Sequence, residues 1–140
     1  MKTRIISGAV LTVILVGAVL GGGTTMFILA AIITALGLYE LYKVVGIEKK
    51  ALGICGYILA ASFYTMLWFD KLQYLEYFCV ASGILTMFVY VCSFKTTRAK
   101  QAAFSLLGIY YVAIPISYIY RIRIMEKGIF IFILVFVCSW

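Results

Sequence analysis

The sequence contains no histidine and no asparagine, and Asp70 is its single aspartate. Aspartate and glutamate together number 5 in 140 residues. Magnesium and calcium are held by clustered carboxylates, and zinc by histidine and cysteine, so the chain is short of donors for either kind of site. The four cysteines, Cys55, Cys79, Cys92 and Cys138, include no C-x-x-C pair. Each lies in or beside an apolar run, where cysteine acts as a small buried hydrophobe, and neither a disulfide nor a metal role is expected. Charge is scarce as well. Only 12% of residues are charged, against about 25% in soluble domains.

Apolar residues take up the difference, at 66% of the chain, where a soluble domain has about 45–50%. A bilayer core about 30 Å thick needs about 20 consecutive apolar residues in a helix. The runs predict an all-α, polytopic integral membrane protein forming one transmembrane domain over residues 1–140. Five full spans are expected at residues 5–20, 24–39, 51–69, 77–94 and 101–120. A sixth, at residues 128–140, is expected to be truncated, because its run is too short to cross the core. The first run, preceded by Lys2 and Arg4, also has the outline of a signal peptide, with Val16 and Ala18 before a cleavage site. A second apolar run follows at once, which favours a membrane hairpin turned at Gly21, Gly22 and Gly23. Gly17 with Gly21, and Ala31 with Ala35, are small-residue pairs that let helices approach closely. Trp68, Tyr74 and Tyr77 stand where interfacial aromatic anchors belong.

The net charge of +7 lies in short basic patches between apolar runs. That is the pattern of membrane topology rather than of a nucleic-acid surface, and no nucleic-acid partner is expected. Lys2, Arg4, Lys43, Lys49, Lys50, Lys95, Arg98 and Lys100 fall on one side of the predicted spans, and Lys71, Arg121, Arg123 and Lys127 on the other. The richer side, with the N-terminus, is expected to face the cytoplasm, in a multi-pass protein of the plasma membrane. The patch RIRIMEK at residues 121–127 runs against that trend. Pro115 lies just before it and removes the helical donor to the carbonyl of Tyr111, which predicts a structural kink. A kink beside this basic patch, with Arg121 and Arg123 at its start, would open a polar cleft. The plain alternative is an ordinary kink followed by a solvated loop.

The opening KTRIISG, the segment GLYELYKV at residues 37–44, and SYIYRIR followed by GIFIF and Trp140 occur in that order along the whole chain. Together they resemble the bacterial CDP-diacylglycerol synthases, or phosphatidate cytidylyltransferases. The resemblance implies phospholipid biosynthesis: CTP and phosphatidate give CDP-diacylglycerol and pyrophosphate. It implies a Mg²⁺ cofactor whose ligands are not in this chain, and a phosphate contact at Arg123, with Arg121 matching less well. It covers only the N-terminal membrane half of such an enzyme, so the chain alone is expected to be inactive, with no catalytic residue of its own. A homodimer is compatible with this reading. Two other classes stay open. One is a small non-enzymatic membrane partner or scaffold. The other is part of a transporter, whose mark would be paired broken helices in repeated halves.

Overall fold

The helix that follows the three glycines outlasts its apolar run by six residues, and Gly46 is what stops it. The structure, a computed structural model, describes residues 17, 21–125 and 128–139. The expected first span at residues 5–20, apart from Gly17, lies outside the described residues, as do Glu126, Lys127 and Trp140. Helix α1 runs Gly23–Val45, where the apolar run alone suggests an end at residue 39. Gly46 takes a φ of 72°. The Ile47 N–H then reaches back to the Tyr42 carbonyl at 2.9 Å and the Gly46 N–H to that of Lys43 at 3.1 Å. This is the Schellman arrangement, which satisfies carbonyls left over at a helix end, and glycine enters its left-handed backbone without strain. Residues 40–45 are therefore helix and not a polar connection, and Tyr42 is carried into the packed interior.

Helix α2 is Ala51–Trp68. A 3₁₀ turn, Leu72–Tyr74, leads into α3, Leu75–Cys92. Helix α4, Ala99–Leu107, passes through a π-helical segment, Gly108–Ala113, into α5, Ile114–Ile124, and α6 is Gly128–Ser139. Among the described residues all regular structure is helical, and four stretches are long and apolar enough to cross a membrane: Gly23–Val45, Ala51–Trp68, Leu72–Cys92 and Ala99–Ile124. The last begins two residues before the expected 101–120 and ends four after it. Arg121 and Arg123 are thus in a helical last turn, not in a loop. Asp70, the single aspartate, has a φ of 53° and serves the same terminating role for α2 that Gly46 serves for α1. Its N–H bonds the Leu67 carbonyl at 3.2 Å, and that of Lys71 bonds Met66 at 3.1 Å.

The described residues fall into two compact units, one Ile33–Ile116 and the other the described parts of Met1–Ile32 and Ser117–Trp140. In the first, α2 is the central helix. Half of its length is buried, against 11% for the 3₁₀–α3 stretch. Leu52, Cys55, Leu59, Phe63 and Leu67 recur at helical spacing, with Gly53, Gly56 and Ala60 beside them. Small residues on that stripe let neighbours approach closely, and dispersion contacts then hold the helices where lipid supplies no hydrophobic drive. Cys55, Leu59 and Ile109 form an apolar core with Phe78 and Val89 packed on it. Helix α3 turns Tyr77, Val80, Ile84, Phe88 and Val91 outward, an apolar stripe suited to lipid rather than water. In the second unit, Met26 packs against Leu29, Ile119 and Tyr120, and the rings of Phe27 and Tyr120 meet edge to face at 5.2 Å. The cysteines are free, but only Cys55 is buried; Cys92 and Cys138 are exposed on the apolar surface.

Candidate functional site

Polar side chains buried among apolar helices find partners on neighbouring helices, because an unpaired polar group there is costly. Thr34 on α1 shares a hydrogen bond of 2.6 Å with the Tyr64 hydroxyl on α2. Tyr110 in the π segment donates to the Cys79 carbonyl at 2.8 Å and pairs with Ser82 Oγ at 2.9 Å on α3. Tyr42, fully buried, donates to the Ser105 carbonyl at 3.0 Å, and Ser105 Oγ donates to the Leu52 carbonyl at 2.9 Å. These two bonds tie α1 to α4 and α4 to α2. The Tyr42 ring lies directly against Gly56 on α2, and a β-carbon on Gly108 would stand 2.9 Å from the same ring. The segment GLYELYKV thus owes its central tyrosine to packing.

One turn beyond Tyr42, the chain makes a connected polar junction. Gln101 Nε2 donates to the Val45 carbonyl at 3.2 Å, an acceptor at the end of α1. Its Oε1 accepts from the Arg98 backbone N–H at 3.2 Å and from Lys50 Nζ at 3.3 Å. Lys50 Nζ also donates to the Thr96 carbonyl at 3.1 Å. One glutamine and one lysine therefore join the loop after α1 to the loop before α4. The two basic loops, with Lys49, Lys50, Lys95 and Arg98, sit at one end of this unit. A groove of about 320 Å³ opens beside the junction. Leu41, Val44, Val45 and Phe104 wall it, Arg98 and Lys100 line it, and Gln101 closes it. Lys100 Nζ lies 5.9 Å from the centre of the Phe104 ring.

The candidate arginines chosen from sequence belong to the other unit. Arg121 and Arg123 are in the last turn of α5, at the far end of the span that starts at Ala99. Two residues apart on a helix means about 200° around its axis, so the two side chains leave on different faces. Arg121 is exposed with its guanidinium 5.2 Å from the Tyr118 ring centre, while Arg123 is half-buried. Pro115 is exposed and follows directly on the π segment inside the continuous helical stretch Ala99–Ile124, so its missing N–H interrupts the helical bonding in mid-span. The backbone irregularity precedes it: the Ile114 N–H bonds the Ile109 carbonyl, five residues back, at the close of the π segment. For Mg²⁺ the donors do not fit. Among the described residues no three of His, Cys, Asp and Glu come together.

Gln101, Lys50, Arg98 and Lys100 were not singled out by sequence. The readable signal for them was an R-x-x-Q start to an apolar run, in which Gln at the third helical position reaches back to the cap N–H. A family model described as the cytidylyltransferase family matches residues 2–140. No curated protein and no solved structure matches.

Proposed function

The chain belongs to the cytidylyltransferase family, and from that premise we propose that it is the membrane part of a phosphatidate cytidylyltransferase of phospholipid biosynthesis. The observation that carries this reading is the pairing of family membership with four membrane-type helices. A cytidylyl acceptor for such a protein is most directly a phosphate that lives in the bilayer. In the reaction, a phosphate oxygen of phosphatidate attacks the α-phosphorus of CTP. The bond from that phosphorus to the bridging oxygen breaks, and pyrophosphate leaves with its electron pair. Neutralising the charge on four phosphates, three of CTP and one of phosphatidate, is the main demand of such a transfer, and Mg²⁺ and basic side chains commonly meet it. The carboxylates described here do not form a Mg²⁺ site, so no step is assigned to the metal within these residues. In this reading the basic end faces the cytoplasm of the plasma membrane, where CTP is, and the protein works as a homodimer or with a further catalytic segment.

Two results test the reading. The 140-residue chain alone, purified in detergent from a host depleted of its own enzyme and given labelled CTP, phosphatidate and Mg²⁺, is expected to make no labelled CDP-diacylglycerol above a mock preparation. Joining it to the catalytic half of a family member is expected to bring turnover. Turnover by the chain alone would place the chemistry inside it, and a silent, properly inserted fusion would remove the phosphatidate reading. In the same fusion, Arg123→Lys keeps the charge but loses the two-pronged phosphate contact that a guanidinium offers. A loss of about tenfold in kcat/KM, or roughly 1.4 kcal/mol of transition-state binding, is expected of a forked contact. Unchanged turnover would make Arg123 an interfacial anchor.

A further inference from the structure

We propose that the groove between the end of α1 and the start of α4 holds an anionic glycerophospholipid, with its phosphate on Arg98 and Lys100 and one acyl chain along Leu41, Val44 and Phe104. The inference rests on the groove's own chemistry and is independent of the cytidylyl reading. Two cations and no acidic side chain line the groove. Its other walls are aliphatic or aromatic, and Val44 is 87% exposed. An apolar side chain that open, beside two cations at the end of two membrane-type helices, suits a ligand that is anionic at one end and apolar at the other. Basic pockets between membrane helices are the usual seats of acidic headgroups.

The groove's size agrees with this occupant. About 320 Å³ is at the small end of ligand pockets, which run from about 300 to 1,000 Å³. It admits a headgroup and the start of one chain, with the rest of the lipid lying in the bilayer. A free nucleotide fits less well, because the amide of Gln101, the neutral polar side chain of the groove, is already engaged and three of the other lining residues are aliphatic. Gln101 has its amide committed to Val45, Arg98 and Lys50, and Lys50 has its ammonium committed to Thr96 and Gln101. These bonds also fix the floor of the groove before any ligand arrives, so little ordering cost falls on binding. Lys100, held near Phe104, is presented along the apolar wall where a headgroup would meet it.

The test uses the purified, delipidated chain in neutral detergent. Native mass spectrometry then follows the binding of dioleoyl phosphatidate, dioleoyl phosphatidylglycerol or dioleoyl phosphatidylcholine. One tightly retained copy of either anionic lipid is expected, and none of phosphatidylcholine. Arg98→Gln with Lys100→Gln is expected to weaken retention by about twenty-five-fold, the product of roughly fivefold for each cation near a membrane surface. Leu41→Trp, which fills the groove and keeps both charges, is expected to weaken it as strongly. Lys95→Gln, a charge of the same loop outside the groove, is expected to leave retention unchanged. Circular dichroism on each variant confirms that its helices persist. Three outcomes overturn the proposal: equal loss with Lys95→Gln, which would mean diffuse surface charge; retention in both groove variants; or displacement of the lipid by millimolar CTP or inorganic phosphate, which would make this a site for free phosphates.

Discussion

Tyr42→Ala is expected to destabilise the protein by about 3–5 kcal/mol, the range for deleting a large buried aromatic ring. Tyr42 is fully buried, and its ring fills a slot that exists because Gly56 and Gly108 carry no side chains. Deletion leaves the cavity and removes the bond to the Ser105 carbonyl. Tyr42→Phe keeps the ring and loses only the hydroxyl, for about 1 kcal/mol. The glycine side of the slot gives a sharper check. A β-carbon at Gly56 would run into the Tyr42 hydroxyl first, and into its ring carbons at 2.7 and 2.9 Å. Gly56→Ala alone is therefore expected to be severe, and combining it with Tyr42→Phe is expected to recover part of the loss. Thermal unfolding followed by size-exclusion chromatography across the four proteins of this double-mutant cycle reads the coupling directly. Strict additivity would show that the hydroxyl and Gly56 do not meet, and the packing described for GLYELYKV would then be wrong.

Gln101→Leu is the second large effect, expected at about 2–3 kcal/mol because one side chain serves three partners and its loss leaves polar groups without them. The Val45 carbonyl, the Arg98 N–H and Lys50 Nζ each lose a bond. Gln101→Glu separates the contributions. It keeps the acceptor for Arg98 and Lys50, and turns the donor toward Val45 into a second acceptor facing a carbonyl. We expect it to fall between wild type and Gln101→Leu. Hydrogen exchange should quicken at Gln101 and Ala102, whose N–H groups bond the Arg98 carbonyl, and less at the Schellman bonds of Ile47 and Gly46. Unaltered exchange at the start of α4 in Gln101→Leu would mean that the two basic loops are held together by something other than this glutamine.

Much of the fold was legible in the sequence for a local reason. Whether a stretch can cross a membrane depends on its own apolar length, and the runs at residues 24–39, 51–69, 77–94 and 101–120 each contain the greater part of a helix that the structure shows. Helix ends were legible in part. Glu40 and Lys43 suggested that the span at residues 24–39 had finished, yet Gly46 held the stop signal. A charge at the end of a membrane helix does not break it; a left-handed residue does. Reading Gly46 as the cap would have carried the helix through Tyr42.

Composition and run length by themselves determined that this is an all-helical membrane protein, poor in metal donors and richer in positive charge at one set of loops. Which side of each helix faces a neighbour was decided only by the tertiary structure. In a soluble helix polar residues mark the outer face. Here lipid-facing and helix-facing sides are both apolar, as the exposed Val80, Ile84 and Phe88 and the buried Leu52, Leu59 and Phe63 illustrate, so periodicity carries little information. The contacts that build the groove and its floor join residues far apart in the chain. Tyr42 and Ser105 are separated by 63 positions, Val45 and Gln101 by 56, and Lys50 and Thr96 by 46. No local pattern encodes such a pairing. It arises when glycines at 56 and 108 let the backbones approach closely enough for side chains on different helices to satisfy one another.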